Sequence, residues 1–179
     1  MKKLIFLSLS CLLLTMTGYS QKFNDLDKSP MDIAICRNKE KACQVRVIYS
    51  RPQKRGRQIF GKVVPYDKVW RTGANEATEI TFYEPMKVSD VTVEPGTYSI
   101  FTIPGEKEWT VILNKATNVW GAYSYEDKED IVRIKVPARK AAAPIEAFSM
   151  AFQPTDQGSD LFMGWDDVYV QVPFVNVES

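Results

Sequence analysis

The sequence predicts an all-β fold, an antiparallel β-sandwich of jelly-roll-like kind with at most one short helix. Three observations carry that prediction. Apolar residues recur with a period of two along most of the chain, the spacing of a strand with one buried face. Turn signals return about every ten residues, the rhythm of a sandwich or barrel. A Pro104-Gly105 turn separates two β-rich runs, and proline and glycine together cannot continue a helix.

The elements follow in order. Gln44 to Tyr49 sets Val45, Val47 and Tyr49 on one face. Thr78 to Phe82 begins a further strand, and Val91 and Val93 alternate ahead of Pro95-Gly96. Thr97 to Ile103, the turn at residues 104–107 and Glu108 to Leu113 form the clearest hairpin. Val132, Ile134 and Val136 alternate with Arg133 and Lys135, and Phe148, Met150 and Phe152 with Ser149, Ala151 and Gln153. Val168, Val170 and Val172 close the series, with a second hairpin expected to turn at Trp165-Asp166-Asp167. Only Arg139 to Ala147 reads as helical, and Pro144 limits it to a turn or two. No internal repeat, low-complexity tract or linker interrupts the pattern.

The first 20 residues read as a secretory signal peptide. Lys2 and Lys3 precede an apolar run from Leu4 to Met16, and Gly18, Tyr19 and Ser20 precede Gln21. A membrane span needs about 20 apolar residues, more than this run supplies. Cys11 lies too early, inside the apolar run, for a lipid anchor. Residues 21–179 are then one β-sandwich domain, periplasmic or otherwise exported, with no membrane span after removal of the leader. At about 160 residues it is long enough for one real core. Without Lys2 and Lys3 the chain holds 21 basic and 22 acidic residues, a net charge of −1. Such a balance offers no global field to attract nucleic acid.

Cys36 and Cys43 remain after removal of the leader. Outside the cytoplasm a pair this close is expected to form a disulfide stapling a hairpin. The chain has no histidine, which removes Ser-His-Asp and Cys-His catalysis and the His-based zinc sites. No Gly-rich phosphate loop occurs, and the acidic run at residues 126–130 lacks calcium-loop spacing, so it reads as a solvated turn. No metal or cofactor is expected.

One segment departs from plain strand and turn. Residues 51–78, RPQKRGRQIFGKVVPYDKVWRTGANEAT, set Arg51, Lys54, Arg55 and Arg57 beside Ile59-Phe60-Gly61 and end in a polar knot of Arg71, Thr72, Gly73, Asn75, Glu76 and Thr78. Further along stand Pro95-Gly96-Thr97-Tyr98, Phe101-Thr102-Ile103-Pro104, Trp109-Thr110-Val111-Ile112, Asn114 and Trp120-Gly121. Through these residues nearly all of the chain after the leader resembles the bacterial domain-of-unknown-function family numbered twenty-nine eleven. That resemblance implies an exported β-sandwich and carries no activity with it. The cysteine pair is not part of the family pattern.

The knot supports two readings. In one it is a corner network that fixes a turn: Trp70 points to the core and Arg71 away, Gly73 takes a backbone shape other residues resist, Glu76 pairs with Arg71 or Arg57, and Asn75 binds the turn. In the other, Arg57, Arg71, Asn75 and Glu76, with Tyr66 and Trp120, line a cleft for an anionic or glycan-like ligand or a partner protein. Guanidinium groups grip carboxylate, sulfate or phosphate bidentately, and aromatic rings stack on sugars. The expected role is therefore that of a monomeric, non-catalytic binding or structural module of the envelope. The alternative is a hydrolase of an envelope or extracellular glycan, with Glu76 as a catalytic carboxylate and Asp67 or Glu84 as its second.

Overall fold

The computed structural model describes residues 21–177, so the expected leader lies outside the described residues. Among these residues ten strands form two antiparallel sheets. They are β1 (Met31–Arg37), β2 (Cys43–Ser50), β3 (Thr78–Phe82), β4 (Met86–Val88), β5 (Val91–Val93), β6 (Gly96–Pro104), β7 (Glu108–Asn114), β8 (Asp130–Pro137), β9 (Arg139–Thr155) and β10 (Gly158–Asn176). The larger sheet runs β1-β2-β3-β6-β7-β8 and the smaller β5-β4-β10-β9. One 3-10 turn, Asp127–Glu129, is the only helical element among the described residues. No helix there is long and apolar enough to cross a membrane.

The period-two pattern reports the inner faces. Val45 and Val47 on β2, Ile80 and Phe82 on β3, Ile100 on β6 and Trp109, Val111 and Leu113 on β7 face Phe148, Met150, Leu161, Met163, Val170, Val172 and Phe174 of the smaller sheet. Burying a large side chain of this kind contributes about 1.5–3 kcal/mol. The connection from β2 to β3, residues 51–77, adds Ile59, Phe60 and Val64 to the core. Trp70 stacks on Trp165 (centroids 6.1 Å apart, planes 18° apart) and meets Phe60, Trp109 and Phe148 edge-on.

Two expectations are corrected. Residues 139–147 are the start of β9, not a helix. Alanine favours a helix locally, but pairing with β10 (Tyr169 to Arg139, Val168 to Lys140, Asp166 to Ile145) overrides that preference, and Pro144 has no N–H to lose. Cys36 and Cys43 are free thiols. The hairpin between them forms, but its register sets Cys36 opposite Val45 and, past a bulge, Cys43 opposite Arg37. Cys36 therefore turns into the core, where burial pushes its thiol up, while the Cys43 thiol points to the Val45 carbonyl at 3.6 Å. The expected second hairpin appears as a sharp fold within β10 at Asp166 (φ 57°). It brings Phe162 and Tyr169 to 6.0 Å and lets Gln171 donate to Asp160 at 2.6 Å.

Trp165 is 2% exposed at the centre of the aromatic cluster. Trp165→Ala is expected to cost about 3–5 kcal/mol of unfolding free energy, read from urea titration at unchanged m-value.

Candidate functional site

The polar knot forms because one strand row is interrupted. Trp70 pairs with Thr102 of β6 through two backbone bonds (2.7 and 2.9 Å), and Thr78 pairs with Ile100, two residues along the same strand. Residues 71–77 must fit where the ladder has room for one, so they leave the sheet as a loop. The Trp70 indole donates to the Gly73 carbonyl (3.1 Å), and the Thr78 hydroxyl to the Thr72 carbonyl (2.6 Å). The Thr72 hydroxyl donates to Thr102 (3.1 Å). Gly73, at φ 159°, takes a backbone shape that other residues rarely adopt, and a Cβ there would also lie 3.1 Å from the Ser50 carbonyl. The left-handed residues are Thr72 (φ 55°) and Asn75 (φ 58°). Asparagine tolerates that region, but a β-branched threonine does so only when its surroundings fix it.

The loop rests on the outer face of the larger sheet, where Phe101 and Ile112 are fully buried. A second segment, residues 115–126, straps the same face. Its Val119, Ala122 and Tyr125 pack on Ala77, Phe101 and Ile112. The Ala77 N–H donates to the Val119 carbonyl (2.9 Å) and the Gly121 N–H to the Asn75 carbonyl (3.0 Å), which makes an antiparallel bridge between Glu76 and Trp120. The fold thus joins two motif segments far apart in sequence. The strap is held at its far end by Tyr125, whose hydroxyl donates to Asp130 (2.6 Å) and accepts from Arg133 (2.8 Å). Burial, and then the Asp130 carboxylate, push the phenol up to about 12.

Arg71 lies half-buried beneath this junction. A Cβ on Gly121 (φ 69°) would come within 3.6 Å of Arg71 Nη1 and 2.7 Å of the Tyr123 ring. Arg71 Nε is buried and has no hydrogen-bond partner among the described residues. Beside it Trp120 is 60% and Tyr123 86% exposed. Glu76 is exposed, and neither Glu76 nor Arg71 forms an ion pair among the described residues. The expected Glu76 pairing with Arg71 or Arg57 is therefore absent there, because Glu76 points across the bridge to a hollow of about 250 Å³ shared with Met31, Ile48, Glu79 and Asn118. The Asn75 side chain donates to Asp27 (3.1 Å) instead of binding the turn.

The six expected site residues separate into two groups. Arg71, Asn75, Glu76 and Trp120 come together. Arg57 and Tyr66 line a different hollow, of about 530 Å³, with Lys54, Asp166 and Asp167. There Arg57 is tied to the carbonyls of Lys54 (2.9 Å) and Gln53 (2.5 Å), and Lys54 pairs with Asp166 at 2.5 Å. Burial, with Glu106 and Asp167, pushes the Tyr66 phenol up. Sequence reasoning missed Tyr123, which no period or motif marks, and the role of Gly121, which the Trp120-Gly121 pair signalled. No cluster of residues fit to hold a metal ion occurs among the described residues.

Fold and site together define a two-sheet β-sandwich in which Arg71, its Nε without a hydrogen-bond partner among the described residues, lies beside the exposed Tyr123. The chain belongs to the family described as Protein of unknown function (DUF2911), whose model matches residues 29–174. No curated protein and no solved structure matches it.

Glu76→Gln is expected to leave stability within about 0.5 kcal/mol of wild type in urea unfolding, since Glu76 forms no ion pair among the described residues. Tyr125 predicts an alkaline effect. Its folded pKa lies above the ordinary value of 10, so its contribution is complete below pH 10. That contribution is lost as pH rises toward about 12. Unfolding of Tyr125→Phe followed across that window is expected to show a shallower loss than wild type.

Proposed function

We propose that this chain is an exported, non-catalytic binding module whose ligand presents an anionic group to Arg71 and a sugar-like face to Trp120 and Tyr123. The observation that carries the reading is the buried Arg71 Nε without a partner. A half-buried guanidinium with no ion pair among the described residues costs desolvation energy that a folding role would offset with a carboxylate. Carboxylate, sulfate or phosphate fits its planar fork. The strained Thr72 supports the same reading, because strain of this kind gathers at ligand sites. Export rests on the leader-like first 20 residues.

A hydrolase built on Glu76 has less behind it. Neither Asp67 nor Glu84 lines the hollow next to Glu76, and Glu84 instead accepts from Gln44. The carboxylate that shares the hollow is Glu79, already engaged by the Asn118 N–H at 2.6 Å. The hollow is also smaller than the roughly 300–1,000 Å³ usual for ligand pockets.

The test is calorimetric titration of uronic-acid, sulfated and phosphorylated oligosaccharides into wild type, Arg71→Gln and Trp120→Ala. Binding that falls at least tenfold in both variants, with their melting unchanged, is the expected result. Equal binding by wild type and Arg71→Gln refutes the site.

A further inference from the structure

The bare half of the larger sheet's outer face carries a second feature. β1 is the end strand of that sheet, and its outward positions are Met31, Ile33 and Ile35, exposed by 61%, 51% and 40%. Ile48 of β2 stands directly beside Ile33. End strands are normally guarded by lysine, proline or bulges along the exposed row. Here the row is apolar from Met31 to Ile35, and Arg37 stands at its end. The Ile33 N–H donates to the carboxylate of its neighbour Asp32 (2.8 Å).

We propose that β1 is the contact of a two-fold dimer, in which a second copy of this chain adds its own β1 antiparallel to the first about Ala34. The pattern is self-complementary in that register. Ile33 of each copy falls opposite Ile35 of the other, so the apolar rows merge across the axis, as an isologous interface requires. Arg37 of each copy falls opposite Met31 of the other. Met31 borders the hollow that also holds the exposed Glu76, so each free end of the row brings the Arg37 guanidinium, held within its own chain by the Lys41 carbonyl at 3.0 Å, toward a carboxylate. This charge match selects a second copy over an unrelated apolar partner. The Ile33 N–H passes from the Asp32 carboxylate to the partner's strand, while Asp32 keeps its ion pair with Arg51 at 2.8 Å. The two sheets become one continuous sheet with no exposed end at β1. The inference stands apart from ligand binding at Arg71 and replaces the monomer expected from sequence.

The experiment is sedimentation equilibrium of the purified protein at micromolar concentration, beside Ile33→Lys and Arg37→Glu, with circular dichroism and melting as checks of folding. Ile33 and Arg37 are exposed, so both variants are expected to fold. Wild type at twice the chain mass, Ile33→Lys at the monomer mass and Arg37→Glu with at least tenfold weaker association are the expected results. A monomeric wild type overturns the proposal. A dimer that survives Ile33→Lys overturns it equally, because the contact then lies elsewhere.

Discussion

The site depends on one constraint, the fixing of Trp70 between the sheets. Its ring is held by Trp165, Phe60, Trp109 and Phe148, and its backbone by Thr102. Two residues further along β6 the ladder resumes at Thr78. Seven residues, 71–77, therefore have to leave the sheet, and they can only leave outward, because the inner face is filled. Arg71 then faces away from the core, and Ala77 and Asn75 present backbone groups that capture the 115–126 strap. The aromatic core and the polar surface site are thus two consequences of one anchored indole.

That coupling explains what the two readings of the polar knot each captured. Part of the knot is scaffold: Thr72, Gly73 and Thr78 close the loop with buried hydrogen bonds. The charged members are not part of that closure. Glu76 is exposed, and Arg71 Nε is buried without a partner among the described residues. An unpaired buried polar group costs about 1–3 kcal/mol, and Arg46 Nε and Trp109 Nε1 bear that cost as well; what sets Arg71 apart is its place beside the exposed Tyr123. On the proposed reading, the hydroxyls of the knot serve the fold and the Arg71 guanidinium serves a ligand.

The fold class and most strands were legible because burial on one sheet face writes a period of two into the chain. Val45, Val47, Phe148, Met150, Val170 and Val172 are all buried as that period requires. Residues 139–147 misled because local alanine preference is weak against pairing with β10. The cysteines misled because the register of the hairpin sets Cys36 opposite Val45 rather than Cys43, and no residue type announces that register. Arg71 and Trp120 were legible as chemistry but not as neighbours; their meeting depends on strap residues Val119, Ala122 and Tyr125 packing on Phe101 and Ile112. Arg57 was grouped with Arg71 by sequence proximity, whereas the path of residues 51–70 through the core carries it to another hollow. Tyr123 carries no sequence signal, since only its backbone neighbours are constrained.

The central claim is that Arg71 is kept for something other than folding. Its most direct test is the urea unfolding free energy of Arg71→Met beside wild type, the methionine preserving the packing of the arginine stem beneath Gly121. The account predicts a stability equal to wild type within about 0.5 kcal/mol, or higher, because a partnerless charge is removed. A loss of about 2 kcal/mol or more would contradict it and make Arg71 part of the scaffold.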